Sequence, residues 1–247
     1  MRLHLVELHD LAACPPSLRD ALTDFLAFAV NLAGAYDPAA PLLRDAVRRC
    51  GARGIVDLCS GAGGPWPRLA GRVGVPVVLT DLYPHRNGVP SLPFHTEPVD
   101  ARAVPAELRG FRTLFTSFHH FRPVEARAIL EDAVRQRQGI GIFEVARRAP
   151  LEIAIVAFTW LGTVAAVPFI RPWRWSRVFW TYLPPVLPLL GTFDGIVSCL
   201  RTYSTDELAE LVRGLDSYVW DMGEFRGGWS PLRGSYLIGV PRPRLAH

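Results

Sequence analysis

Two kinds of hydrophobic pattern alternate along the 247-residue chain, short continuous apolar runs and longer stretches in which apolar side chains recur every three or four positions. Ile55 and Val56 open a run suited to a buried parallel strand, and VPVVLTD (75–81) is a second one, ending in Asp81. FHTEPVDA (94–101) reads as a third strand-like run with Asp100 near its end. Helical spacing precedes the first strand: Leu18, Leu22, Phe25, Leu26, Ala29 and Leu32 share one face, Ser17 is a cap and Gly34 ends the run. A second helix is expected to start at Asp37-Pro38 and to carry Leu42, Leu43, Ala46 and Val47. Near the C-terminus Ser204 or Thr205 caps a helix bearing Leu208, Leu211, Val212 and Leu215, while YVWDMGEF (218–225) and SYLIGVP (235–241) look like closing strands.

The stretch IVDLCSGAGG (55–64) changes the picture from fold to chemistry. Gly61, Gly63 and Gly64 permit positive φ and let a ligand approach backbone N–H groups. A dinucleotide fingerprint would place its first glycine directly after the strand and its third where Trp66 stands. Asp57 at the strand end would repel a pyrophosphate, whereas it can accept hydrogen bonds from a cationic amino-acid moiety. Taken singly, Asp57 or Asp81 is equally at home as a helix cap or turn residue; the succession of acidic residues at strand ends is what makes the pattern informative.

This motif resembles the class I S-adenosylmethionine-dependent methyltransferases, whose first motif is an acidic residue followed by alternating glycines. Cys59 stands where that motif usually has its first glycine, and Gly61 and Gly63 occupy the next two. The resemblance covers roughly residues 50 to 146, with RTLFTSFHHF (112–121) similar to the fourth strand and its loop, and GIGIFEVA (139–146) similar to the fifth. It implies a doubly wound, Rossmann-like α/β sheet, mainly parallel, of seven strands with the last antiparallel. It also implies S-adenosylmethionine as cofactor, held by Asp57, Cys59, Gly61, Gly63, Asp81, Leu82, Asp100, Ala101 and Ser117. Asp81 would bind the ribose hydroxyls and Asp100 the adenine amino group. The expected organisation is one domain, with a helical cover (1–50), a cofactor core (51–146), an apolar insertion (147–203) and a closing helix and strands (204–247).

Composition narrows the function further. With 49% hydrophobic residues the chain can bury one substantial core. All 27 basic residues are arginine, which removes lysine chemistry, and they are scattered, so the net charge of +4 does not mark a nucleic-acid partner. Cys14, Cys50, Cys59 and Cys199 lack the paired spacing of a zinc site, so no metal is expected and reduced thiols are. The opening MRLHLVELHDLAACPP lacks a continuous apolar core, so a cytoplasmic protein is expected, peripheral at a membrane under one reading below.

Residues 153–170 carry no charge, a length at which a membrane helix must be considered. A single crossing would strand the closing strands on the far side, and a returning span over 178–193 would contain Pro184, Pro185 and Pro188. Two readings stay open: a buried cap over an apolar acceptor pocket, or a surface resting on the membrane through about 153–190. Trp173, Trp175, Trp180 and Tyr182 among Arg171, Arg174 and Arg177 fit the second.

The activity implied is methyl transfer to a small or medium hydrophobic molecule. His119 and His120, after the fourth strand, are the candidate catalytic bases, since imidazole is largely neutral at cytoplasmic pH; a structural histidine is the plainer alternative. Glu144 can orient an acceptor or pair with an arginine; Asp194, Arg201 and Tyr203 can reach the acceptor, or else Asp194 and Arg201 pair in a buried turn. Other uses of the same cofactor (cyclisation or elimination) and a non-catalytic accessory role are the alternatives. The sequence offers no NPPY-like amide-binding motif after the fourth strand.

Overall fold

The computed structural model describes residues 2–84, 92–145 and 147–243; residue 146, expected to end the fifth strand, and 244–247 lie outside them. Six strands form one sheet in the order β2-β1-β3-β4-β6-β5: Ile55–Leu58 (β1), Val77–Leu79 (β2), Phe111–Phe115 (β3), Ile140–Val145 (β4), Tyr218–Arg226 (β5) and Arg233–Pro241 (β6). The first four run parallel, and β6 is antiparallel to both β4 and β5. All four residues of β1 are buried, which is why its sequence is continuously apolar around Asp57.

The seventh strand expected from 94–101 does not form. Phe94 makes only an isolated parallel bridge to Leu79, closed by Leu79 N–H to Pro93 O and His95 N–H to Leu79 O. Pro93 and Pro98 have no N–H to donate, so the ladder stops where it begins. Val99 N–H still bonds Asp81 O at 2.9 Å, and this keeps Asp100 beside the end of β2.

Both faces of the sheet are covered. Ala39–Cys50 (α2) and Trp66–Val73 (α3) pack Leu43, Val47, Leu69 and Val73 against Phe111 and Phe143. Pro123–Arg135 (α4) and Thr205–Val212 (α9) pack Ile129, Leu130, Leu208 and Leu211 against Leu114, Ile142 and Leu237. Phe111 and Leu114, odd and even positions of one strand, thus serve opposite faces. Ser204 caps α9 in a full capping box with Glu207.

Pro16–Leu32 (α1) begins after Pro15 rather than at Ser17, because Pro15 is already extended and Pro16 fits the first helical turn. The second helix by contrast starts one residue late, with Pro38 at its N-cap, and Asp37 instead pairs with Arg68. The insertion folds into Pro150–Ala157 (α5), Thr159–Ala166 (α6), Trp175–Tyr182 (α7) and Val186–Arg201 (α8), with a short 3-10 turn at Val167–Phe169. Its inner side forms a third cluster with α1, in which Leu18, Leu22 and Phe25 meet Val167, Ile170, Leu187 and Leu190.

Candidate active site

The turn after β1 stands between two neighbours: β2 lies on one side of β1 and β3 on the other, so the chain reverses its winding direction there. Such switch points at the carboxyl ends of parallel strands are where open α/β sheets bind ligands. Four residues of the turn hold positive φ: Cys59 (56°), Gly61 (50°), Gly63 (91°) and Gly64 (46°). Cys59 therefore adopts a left-handed backbone that favours glycine, at a cost on the order of 1–2 kcal/mol for its Cβ.

Asp57 sits beneath this turn, buried. Ser60 Oγ donates to Asp57 Oδ2 and Thr113 Oγ1 to Asp57 Oδ1, both at 2.6 Å. Burial disfavours the charged carboxylate and raises its pKa to about 6 despite those two bonds. Asp81 closes the turn from β2: Gly61 N–H reaches Asp81 Oδ2 at 2.8 Å, and Tyr83 N–H reaches Asp81 Oδ1 at 2.9 Å. Leu82 is exposed next to it and Ala101 is buried. Asp100 opens a turn rather than ending a strand, with Ala103 N–H bonded to its carbonyl, and Arg102 donates to both its side-chain oxygens, lowering its pKa. The three carboxylates converge closely enough for Asp81, Asp57 and Asp100 all to add to burial in pushing the Cys59 thiol far upward. Ser117, after β3, is buried at the switch point with its hydroxyl toward the Cys59 thiol.

α1 lies over the turn. A Cβ placed on Gly61 would come within 3.1 Å of Thr23 Cγ2, and Asn31 Nδ2 donates to Gly64 O at 2.7 Å. Tyr36, fully buried, bonds Thr116 Oγ1 and accepts from Val145 N–H at 3.1 Å, tying this cover to the ends of β3 and β4.

The histidines belong to a second, ionic cluster. His119 Nδ1 lies 2.8 Å from Glu144 Oε2, and Nε2 lies 3.5 Å from Glu7 Oε1. Burial opposes a charged ring, but the two carboxylates outweigh it and raise the His119 pKa to about 10. This corrects the expectation of a neutral base at His119, which holds its proton at neutral pH. It also corrects Glu144, whose partner is a histidine rather than an arginine. His120 differs: burial and then the charge of His119 lower its pKa, although Nδ1 is 3.1 Å from Asp10 Oδ2.

Glu7, His9 and Asp10, which sequence reasoning passed over, complete the cluster. Burial alone would raise Glu7, yet His119, His120 and Arg201 bring its pKa down to about 2. Asp194 bonds the N–H groups of Leu8 and His9 and the His9 ring, while Arg201 pairs with Glu7 and Asp10, so the expected Asp194–Arg201 pair is replaced by two pairs to the N-terminal segment. Glu7, His119 and His120 do bring one ligand atom each within 4.8 Å of the others. Arg201 Nη1, 3.2 Å from Glu7 Oε1, already balances that carboxylate, and a divalent cation would have to displace it. The alternation of His4, Glu7, His9 and Asp10 was the available sequence signal.

A separate cleft of about 540 Å³ between α2 and the end of α3 includes Ala52 and Val75. These residues precede β1 and β2, so the cleft is at the strands' amino ends, away from the turn.

No family profile matches the sequence, and no curated protein matches it. Solved structures do match in fold. A Methanococcus maripaludis protein assigned as an S-adenosyl-L-methionine-dependent methyltransferase is 11% identical, with a TM-score of 0.52 over 94% of this chain and 95% of that one. Human N-acetylserotonin methyltransferase, solved with S-adenosylmethionine, is 12% identical, with a TM-score of 0.50 over 88% of this chain and 56% of that one. An O-methyltransferase family protein of Burkholderia thailandensis is 17% identical, with a TM-score of 0.48 over 85% of this chain. The chain spans 57% of the length of that protein. The fold is thus that of the class I S-adenosylmethionine-dependent methyltransferases, with one edge strand reduced to a bridge.

Proposed function

We propose that this protein transfers a methyl group from S-adenosylmethionine to a small or medium hydrophobic acceptor. The observation that carries the reading is the turn after β1, with its run of positive φ, bonded at Gly61 to Asp81 at the end of the next strand. The residues suit the cofactor: Gly64 has open space where a Cβ would stand, and the buried Ser117 places a hydroxyl at the same end of the sheet. In this reading Cys59, Gly61 and Gly63 line the cofactor, Asp81 takes the ribose hydroxyls, and Leu82 and Ala101 flank the adenine with Asp100 at its amino group. Asp57 supports the turn from below and supplies negative charge under the cationic end.

When bound, the cofactor supplies a sulfonium methyl that is already electrophilic. The chain's own task is then positioning, with a base needed only where the acceptor must lose a proton. His120, partly exposed and with a lowered pKa, is the group able to accept that proton, while His119 keeps its own and holds Glu7 and Glu144 in place. The apolar insertion stands over α1 and gives the acceptor a hydrophobic surround.

Titration calorimetry with S-adenosylmethionine and S-adenosylhomocysteine tests the reading. Binding of both by the folded protein is expected, and absence of binding sinks it. Incubation with candidate acceptors should yield S-adenosylhomocysteine; methylthioadenosine instead would indicate cyclisation or elimination.

A further inference from the structure

The apolar insertion is covered on one side only. Its inner side meets α1, yet of the most apolar 18 residues within Pro150–Phe169, with mean hydropathy 1.7, just 22% are buried. On α7 Trp175 and Phe179 stand one turn apart, with Leu183 at the C-cap, and Trp175 and Leu183 are 75% and 73% exposed. Phe169, 70% exposed, lies on the 3-10 turn that packs on α7, and Leu161 is exposed on α6, which packs on both. Soluble monomers rarely gather so much large apolar surface in one place without a partner for it.

We infer that this face docks monotopically on a lipid bilayer containing anionic headgroups. A single crossing is excluded by topology: β5 and β6, which follow the insertion, pair with each other and with β4, so the chain returns to the sheet it left. The pair α7 and α8 is bent by 79° and enters no straight crossing. What selects lipid over a second copy of the chain is charge and rim chemistry. Residues 153–193 contain Arg171, Arg174 and Arg177 and no acidic residue; two of these pair with α1, and the third, Arg171, would face its own like charge in a second copy, whereas phosphate complements it. Arg177 is buried against Asp24, and Arg174 is shared with Asp20 and Asp24. Arg171 donates to Pro168 O at 2.9 Å and lies 5.7 Å from the Trp173 ring centre, and among the described residues no carboxylate is within ion-pair reach of it. Tyr182, exposed, donates to Val164 O at 2.7 Å. Tryptophan, tyrosine and arginine around aliphatic side chains form the belt that settles at headgroup depth. This inference does not rest on methyl transfer.

The test is flotation of the full chain with vesicles of phosphatidylcholine alone or mixed with phosphatidylglycerol, together with quenching of tryptophan fluorescence by brominated acyl chains. Flotation with the anionic vesicles and quenching are expected. The triple change Trp175→Ser, Phe179→Ser, Leu183→Ser, at exposed positions, should reduce partition at least tenfold, an order-of-magnitude figure for lost apolar burial. Arg171→Gln should weaken binding to anionic vesicles alone. Circular dichroism and melting of both variants verify that they fold. Wild-type protein that stays out of both vesicle fractions overturns the inference, as does a sedimenting dimer that the triple change dissolves.

Discussion

The backbone N–H of Gly61 donates to Asp81 Oδ2 at 2.8 Å, so the glycine turn and the end of β2 form one unit. Removing the Asp81 carboxylate therefore disturbs the turn as well as any ribose contact. A charged hydrogen bond is worth about 1.5–3 kcal/mol, so Asp81→Ala should weaken S-adenosylmethionine binding by roughly 10- to 100-fold. Asp81→Asn, which keeps an acceptor for Gly61, should retain the fold of the turn and lose less. Calorimetry of the two variants side by side checks this, and equal losses would mean that the turn does not depend on Asp81.

Asp57 places a carboxylate where burial disfavours its charge. Its folded pKa, about 6, lies above the ordinary value of 3.8, so the native state binds the proton more tightly. Stability from this group is full below 3.8 and is lost as pH rises through about 6. Asp57→Asn does not titrate, so it should gain on the wild type by up to about 3 kcal/mol across that window, whatever its offset at low pH. Urea unfolding at stepped pH measures the difference; a constant difference would refute the buried charge.

In the ionic cluster both signs occur, His119 following the direction of Asp57 and Glu7 the opposite one. His119, raised to about 10 from 6.5, contributes stability that is fully present below 6.5 and disappears as pH rises through 10. Glu7, lowered to about 2 from 4.5, contributes stability present above 4.5 and lost as pH falls through 2. The stability gap between wild type and His119→Gln should shrink on the alkaline side, and that for Glu7→Gln on the acid side. Thermal melts across both ranges test this.

Cys59 holds φ at 56° in a turn of glycines. Cys59→Gly removes the Cβ penalty but frees the unfolded chain, two effects of about 1 kcal/mol each that nearly cancel. Cys59→Val adds β-branching at left-handed backbone and should cost on the order of 1–2 kcal/mol. A melting temperature unchanged in the valine variant would show that the turn can relax.

Local order dictates its own structure, and this much was legible in the chain. β1 announced itself because a strand buried on both faces is continuously apolar, the turn because its glycines have little other reason to cluster, and α9 because Ser204 and Glu207 cap it within one turn. Parallel order and the antiparallel last strand were implied by the resemblance that the loop and its following strands carry. Contacts across long separations were decided by the tertiary fold alone. His120 meets Asp10 across 110 positions, and Arg201 meets the same carboxylate across 191, so neither pair has a local pattern. The missing edge strand was decided by Pro93 and Pro98, whose lack of N–H matters only once a neighbouring strand offers the ladder. The outward side of the insertion was decided likewise: its sequence is apolar all round, and only packing on α1 selects which side chains are covered and which face out.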